Sequence, residues 1–284
     1  MFTYILAFII AFSIYNEVRF FFIKKRIKKS PEIQKGMEPF LLKGGKEGIL
    51  MIHGFSSSPF ECRKLAKYFN RKGYTVYAPL LTGHGTSPEH LAVSKWHQWI
   101  SDAQNGLSLL EKMCDKIWIL GNSMGGNVAI SIPEKSQKVK GLICMSTPIR
   151  FKMKLMLFRY IVPLLRRIKI FQKKFYSKRY LKRLRKFRTR SYQIIPLSSL
   201  AHLQKMIKFS IKKIKDIKLP LLVVQARPDS YLDERGAEYL YLNSQSTVKQ
   251  LLWVNQSYHN IIGDEKIGKV RIFKEIGKFM RKTR

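Results

Sequence analysis

The pentapeptide Gly121-Asn122-Ser123-Met124-Gly125 is the part of this sequence best suited to chemistry. It is a G-x-S-x-G placed between an apolar run, Ile117-Trp118-Ile119-Leu120, and a small-residue run, Gly126-Asn127-Val128-Ala129. A sharp strand-to-helix turn at this spacing holds its serine in a strained conformation, and the glycines let strand and helix approach without a Cβ clash. The Ser123 hydroxyl would then stand clear at a helix amino end, whose dipole favours developing negative charge. The reading is a nucleophilic serine, and such a serine needs a base, an orienter of that base, and donors for an oxyanion.

With a nucleophile on this kind of turn, the expected chain order is Ser, then Asp or Glu, then His. Of the six histidines (His53, His84, His90, His97, His202 and His259), only His259 follows the last two apolar runs. It is the candidate base. The run Leu221–Val224 leads into Gln225-Ala226-Arg227-Pro228-Asp229, which places Asp229 just past a strand end as the candidate orienter. Asp233 and Glu234 are near rivals, but they sit where a helix would open and would cap it. The backbone N–H of Met124 and that of Phe55, after Ile52-His53-Gly54, are the candidate oxyanion donors. His53 is read as a holder of that loop. The turn Leu81-Thr82-Gly83-His84-Gly85 is glycine-rich, yet G-x-G-x-x-G and G-K-[ST] are both absent, so no nucleotide site or cofactor is expected. No close Cys/His cluster offers a metal site.

Positioning these residues requires a sheet. Apolar runs at Ile49–His53, Tyr74–Ala78, Ile117–Leu120, Val139–Met145, Leu221–Val224 and Val248–Val254 read as buried strands. Segments of helical spacing (Pro59–Asn70, Trp96–Met113, Met124–Ile132 and Gly268–Met280) alternate with them. That rhythm predicts βαβ units and a mostly parallel sheet covered on both faces. One connection is too long. About 70 residues separate the strand ending near Ser146 from that starting near Pro220, where a simple crossover needs about 20–30. The surplus, with helical segments over Lys154–Ile170 and Ser199–Ile214, is expected to cap the carboxyl edge of the sheet, where open α/β sheets bind ligands.

The 284 residues carry 54 Lys+Arg against 18 Asp+Glu, a formal charge of +36. With 45% hydrophobic residues a real core can form, which excludes a disordered polycation, a collagen-like fibre and a disulfide-stapled mini-protein. Between Arg150 and Lys215 stand 22 Lys/Arg and no Asp or Glu, so the excess charge is concentrated in the expected cap. Cys62, Cys114 and Cys144 are widely spaced and read as reduced thiols.

Residues 1–15 are almost wholly apolar, Asn16, Glu17 and Arg19 interrupt, and a basic cluster, Lys24 to Lys29, follows Phe20–Ile23. A bilayer-crossing helix needs about 20 residues. The basic cluster follows the run, and no small-residue cleavage site is present, so the segment reads as an uncleaved single membrane anchor with the downstream domain cytoplasmic. The other reading is an amphipathic surface segment or an added helix.

Taken together, Ile52–Pro59 (IHGFSSSP), Tyr77–Glu89 (YAPLLTGHGTSPE), Gly121–Gly126 (GNSMGG), Val223–Asp229 (VVQARPD) and the loop 257–259 resemble the α/β-hydrolase family. Within it the resemblance is to the bacterial carboxylesterase and monoacylglycerol-lipase or lysophospholipase-like branch. It implies an α/β-hydrolase fold over roughly residues 48–284, a mostly parallel sheet flanked by helices, with a basic helical cap inserted between core strands. The expected division is an anchor with its basic flank (1–30), core (31–148), cap (149–216) and core (217–284). The resemblance implies ester hydrolysis through an acyl-enzyme on Ser123, with His259 as base and Asp229 orienting it. Asn122 stands where such lipases often have His, and Tyr258 where Gly is commoner. A cationic, partly apolar cap favours a lipid ester, monoacylglycerol or lysophospholipid, and an anionic membrane surface as partner. A thioesterase or amidase on the same triad is the alternative. So is a non-catalytic binder of anionic membrane or nucleic acid, which the run Lys182–Arg190 supports but no nucleic-acid fold or motif accompanies.

Overall fold

A computed structural model describes residues 2–27, 31–132, 136–174, 191–227, 229–255, 259–262 and 269–283. The run Lys182–Arg190 and Tyr258 lie outside them. From the amino end the chain forms α1 (Phe2–Arg26), β1 (Phe40–Leu42), β2 (Glu47–Ile52), a 3-10 turn (Pro59–Cys62), α2 (Arg63–Asn70), β3 (Thr75–Ala78), α3 (Pro88–Val93) and α4 (Trp96–Glu111). There follow β4 (Lys116–Asn122), α5 (Met124–Ser131), β5 (Val139–Met145), α6 (Met153–Ile168), β6 (Phe171–Lys173), β7 (Ile194–Pro196) and α7 (Leu197–Lys213). The chain closes with β8 (Leu221–Arg227), α8 (Arg235–Asn243), β9 (Lys249–Asn255) and α9 (Lys269–Lys282).

Seven strands make one sheet in the order β1-β3-β2-β4-β5-β8-β9. All neighbours are parallel except β1, which runs antiparallel to β3 at the edge. The chain is thus an α/β-hydrolase-type doubly covered sheet. Its central strands are continuous apolar runs because side chains alternate between two buried faces. Leu50, Ile52, Ile117, Ile119, Leu142, Leu221 and Val223 pack on one face with α4, α5, α7 and α8. Ile49, Met51, Trp118, Leu120, Ile143, Leu222 and Val224 pack on the other with Phe69 of α2 and Phe273, Ile276 and Met280 of α9.

The long connection between β5 and β8 carries α6, the antiparallel pair β6–β7, and α7. Its second helix is fastened to the core. Met206 of α7 is fully buried in the first cluster, and α7 lies along α5. Asn127 of α5 donates through Nδ2 to Pro148 O at 2.9 Å and to Ser210 Oγ at 2.8 Å.

The expected membrane anchor is overturned: among the described residues, no helix is long and apolar enough to cross a membrane. Helix α1 does run for 25 residues, but Asn16, Glu17 and Arg19 break its apolar character and it ends in Lys24-Lys25-Arg26. Asn16 is buried and donates to Phe12 O at 3.0 Å, and α1 packs against α6. An added helix on the fold, the alternative reading of this segment, fits that packing. The cytoplasmic orientation rested on a spanning segment and falls with it.

Asn127 donates from α5 to both Pro148 O and Ser210 Oγ, so Asn127→Ala loses two bonds and takes this donor from the Pro148 carbonyl, while Ser210 Oγ keeps its bond to Ile207 O. Asn127→Ala is expected to lower the unfolding free energy by about 2–4 kcal/mol, and Ser210→Ala by only about 1 kcal/mol. Urea unfolding of the two variants checks this; equal effects would refute the fastening role of Asn127.

Candidate active site

Strand β4 delivers the chain to Ser123, which has φ 52° and ψ −124°, and α5 begins at the next residue. A side chain cannot relax this turn, because the neighbours leave no room. A Cβ on Gly121 would overlap the Gly125 carbonyl, and one on Gly125 would overlap the Ile52 carbonyl of β2. The glycines are therefore dictated by backbone packing, and the strain at Ser123, of order 1–3 kcal/mol for such a residue, is held by it.

Ser123 is half-buried. The hydroxyl lies 2.9 Å from His259 Nε2. His259 Nδ1 lies 2.9 Å from Asp229 Oδ2. Ionised Asp229 can only accept, so Nδ1 carries the proton and Nε2 is left as an acceptor for the serine proton. Asp229 is 1% exposed. Its other oxygen accepts from the backbone N–H of Tyr231 at 2.8 Å and of Leu232 at 3.0 Å, and Gln225 Nε2 donates to Oδ2 at 3.1 Å. Burial pushes this carboxyl up, but the bond and charge of His259 and the two N–H donors outweigh it and hold it below the usual carboxylate range. The Tyr231 ring meets His259 edge-on, with centroids 5.2 Å apart.

The structure thus brings together all three side chains that the sequence singled out. The rivals are engaged elsewhere: Asp233 bonds Arg235 and pairs with Arg150, and Glu234 pairs with Arg227 at 2.9 Å. Gly54 packs against the Ser123 Cβ, which brings the Gly54–Phe55 segment next to Ser123, and neither Phe55 N–H nor Met124 N–H donates to an acceptor among the described residues.

His53 is fully buried and holds its loop, as expected. Its Nδ1–H donates to Gly54 O at 2.9 Å while Nε2 accepts from Leu81 N–H at 3.2 Å. Burial lowers its pKa, against the opposing charge of Glu61. His84, behind it with ring centroids 5.0 Å apart, is pushed well down by burial and by His53.

Glu61 escaped the sequence reading. Its Oε1 accepts from Gly54 N–H at 2.7 Å and from Asn122 Nδ2 at 2.9 Å, and its Oε2 accepts from Ser57 Oγ at 2.7 Å. One carboxylate therefore ties the Gly54–Ser57 loop to the residue before the nucleophile. This is the use found for Asn122, the residue that departs from the commoner His. A signal was present: Ser58-Pro59-Phe60-Glu61 has the S-x-x-E form of a capping box, with Pro in the first turn. Ser58 makes no capping bond, however, and Glu61 turns to the loop instead. Among the described residues no group of three His, Cys, Asp or Glu could hold a metal ion.

Comparison with known proteins agrees with this geometry. Residues 45–266 match the model of the family described as serine aminopeptidase, S33. A carboxylesterase of Bacillus subtilis (strain 168) is 29% identical over 230 residues, covering 81% of this chain and 91% of the relative. A thermostable monoacylglycerol lipase of Bacillus sp. (strain H-257) is 26% identical over 234 residues, covering 80% and 88%. A solved structure from a report of two metagenome-derived lipolytic enzymes superposes with a TM-score of 0.77 at 29% identity, covering 88% of this chain and all of that one. With a family model spanning most of its length and esterase and lipase relatives on either side, the chain belongs to the S33 serine hydrolases of the α/β-hydrolase fold, as an enzyme of the esterase/lipase type.

Proposed function

We propose that this enzyme cleaves lipid carboxylic esters, of the monoacylglycerol or lysophospholipid class, through an acyl-enzyme on Ser123. The observation that carries the proposal is the unbroken hydrogen-bonded chain from Ser123 Oγ through His259 to buried Asp229. Ser123 Oγ attacks the ester carbonyl carbon while its proton passes to His259 Nε2. The N–H groups of Phe55 and Met124 receive the charge that develops on the carbonyl oxygen. Collapse breaks the bond to the leaving alcohol, which takes the proton from His259. Water then attacks the acyl-serine, losing a proton to His259; the bond to Ser123 Oγ breaks, Oγ takes that proton back from His259, and the carboxylic acid leaves. Asp229 fixes the tautomer throughout and stabilises the imidazolium.

Two things support the lipid ester as substrate. One relative is a monoacylglycerol lipase, and the segment proposed as the cap, residues 149–216, presents apolar side chains among basic ones. Its lower end joins the acid loop: Lys152 N–H donates to Tyr231 O at 3.0 Å, and Phe151 bridges Leu232. A cap rooted there stands over the carboxyl edge of the sheet and would enclose an acyl chain.

Ser123→Ala is expected to abolish both ester turnover and labelling by a fluorophosphonate probe. Asp229→Asn, which keeps the shape but reverses the tautomer preference, is expected to lower kcat by roughly 10^4-fold. Folded unsubstituted protein that escapes labelling at Ser123 would disprove the mechanism. For the substrate class, kcat/KM on dispersed monoacylglycerol or lysophospholipid should exceed that on matched thioesters and amides; turnover of short water-soluble esters alone would defeat the lipid assignment.

A further inference from the structure

The oxyanion loop is held from two sides. From below, Glu61 binds Gly54 and Ser57. From above, the inserted segment reaches down with two groups: Tyr192 N–H donates to Ser56 O at 3.0 Å, and Lys174 Nζ donates to Ser56 Oγ at 2.7 Å. Ser56 is buried and has φ 58°, a conformation unfavourable for a residue with a Cβ. It follows directly on Phe55, whose N–H is the upstream oxyanion donor in the mechanism above. The two hydrogen bonds therefore fix a strained residue whose relaxation would rotate the Phe55–Ser56 peptide and, through the Phe55 Cα, disturb the adjoining Gly54–Phe55 peptide that carries the Phe55 N–H. Lys174 is itself well rooted. Its backbone N–H donates to Gln193 O at 2.9 Å, continuing the β6–β7 pair. Tyr192 is anchored as firmly, since its hydroxyl accepts from Thr86 N–H at 2.7 Å and donates to Gly83 O at 3.0 Å.

We propose that Lys174 is a positioning residue for the reaction: a cation supplied by the inserted segment that, through Ser56 and opposite Glu61, holds the Phe55 N–H in register with Ser123. The proposal rests on the reading of Phe55 as an oxyanion donor. Lys174 touches no reacting atom and acts through the loop. An ammonium is suited to the task, because it donates to Ser56 while its charge is attracted to the Glu61 carboxylate on the other side of the same loop.

The surroundings set a pH signature. Among the described residues, the charged and titratable groups facing Lys174 include Glu61, which favours its charged form, and His84, which lies within electrostatic range with His53 behind it. Both histidines are kept neutral by burial. Desolvation outweighs Glu61 and brings the Lys174 ammonium down to about 8. As pH rises through that value the charge is lost, the pull on Glu61 disappears, and kcat should fall. Stability moves oppositely. The unfolded chain keeps this proton up to its ordinary pKa of 10.5, so between about 8 and 10.5 the unfolded state holds more protons and rising pH favours folding through this group. Activity lost in that window through Lys174 is therefore not lost through unfolding.

The test compares unsubstituted enzyme, Lys174→Met and Lys174→Arg on one soluble ester, with fluorophosphonate labelling and circular dichroism in parallel. Lys174→Met is expected to keep the fold, lower kcat at pH 7 by tenfold or more with KM within about twofold, and lose the alkaline fall near pH 8. Lys174→Arg is expected to recover most of kcat and to hold it through pH 10, since a guanidinium does not titrate there. Unchanged kcat and pH profile in Lys174→Met, or a loss confined to KM, overturns the proposal while leaving the triad untouched. If Lys174→Met does not fold, Lys174→Arg decides: an alkaline fall still centred near 8 overturns the assignment. Failure of unsubstituted protein to be labelled or to turn over ester overturns the mechanism and this inference together.

Discussion

Three backbones meet behind Ser123 at a point where no Cβ can stand, and the site depends on that steric constraint. Gly121 faces the Gly125 carbonyl, Gly125 faces the end of β2, and Gly126 faces the Thr147 side chain just past β5. The first turn of α5 is thereby wedged against the ends of three strands. Among the described residues, the non-glycine positions with positive φ are Ser56, Ser123 and Ser146, each lying beyond the carboxyl end of a strand: Ser56 after β2, Ser123 after β4, Ser146 after β5. Strain of this kind persists only where the surroundings over-determine it. Here the parallel sheet does so, because its strands end at one edge and its interior packing fixes where each one ends.

Around this wedge the polar groups form a chain that runs between layers. Asp229 is held by the turn that follows β8, and through His259 it reaches Ser123. Asn122, adjacent to Ser123, binds Glu61, and Glu61 binds the loop after β2. That loop in turn is bound by Tyr192 and Lys174 of the inserted segment, whose other end bonds to Tyr231 beside Asp229. The inserted segment thus touches both the turn that holds Asp229 and the loop that carries Ser56. Its displacement could not alter one without disturbing contacts near the other.

The sheet and the nucleophile turn were legible because each has a local signature. Continuous apolar runs of strand length mark a doubly covered sheet, and G-x-S-x-G between such a run and small residues has a steric cause. His259 and Asp229 were legible by chain order and by their places past strand ends. Other features had no local signature. Strand β1 is three residues in a polar stretch, and α3 is six residues bounded by Ser87-Pro88, too short for periodicity to register. Glu61 has a capping pattern that it does not use. Lys174 is one of 22 basic residues in an acid-free stretch, and nothing in the sequence separates it from the others. Its role depends on a contact with Ser56, 118 positions away. The amino-terminal helix misled for a related reason: an apolar composition does not distinguish a segment that crosses lipid from one that packs on another helix such as α6.

The three thiols have a consequence for the conditions under which this enzyme can work. Cys62, Cys114 and Cys144 are unpaired and buried, and desolvation raises all three, Cys144 to about 12. A thiolate is the form that peroxides and alkylating agents attack, so these sulfurs offer little to either. The nucleophile is an alcohol, which climbs no oxidation ladder under the same reagents. The reaction at the serine therefore draws on no reduced sulfur, and none of these three thiols is poised for oxidation or alkylation.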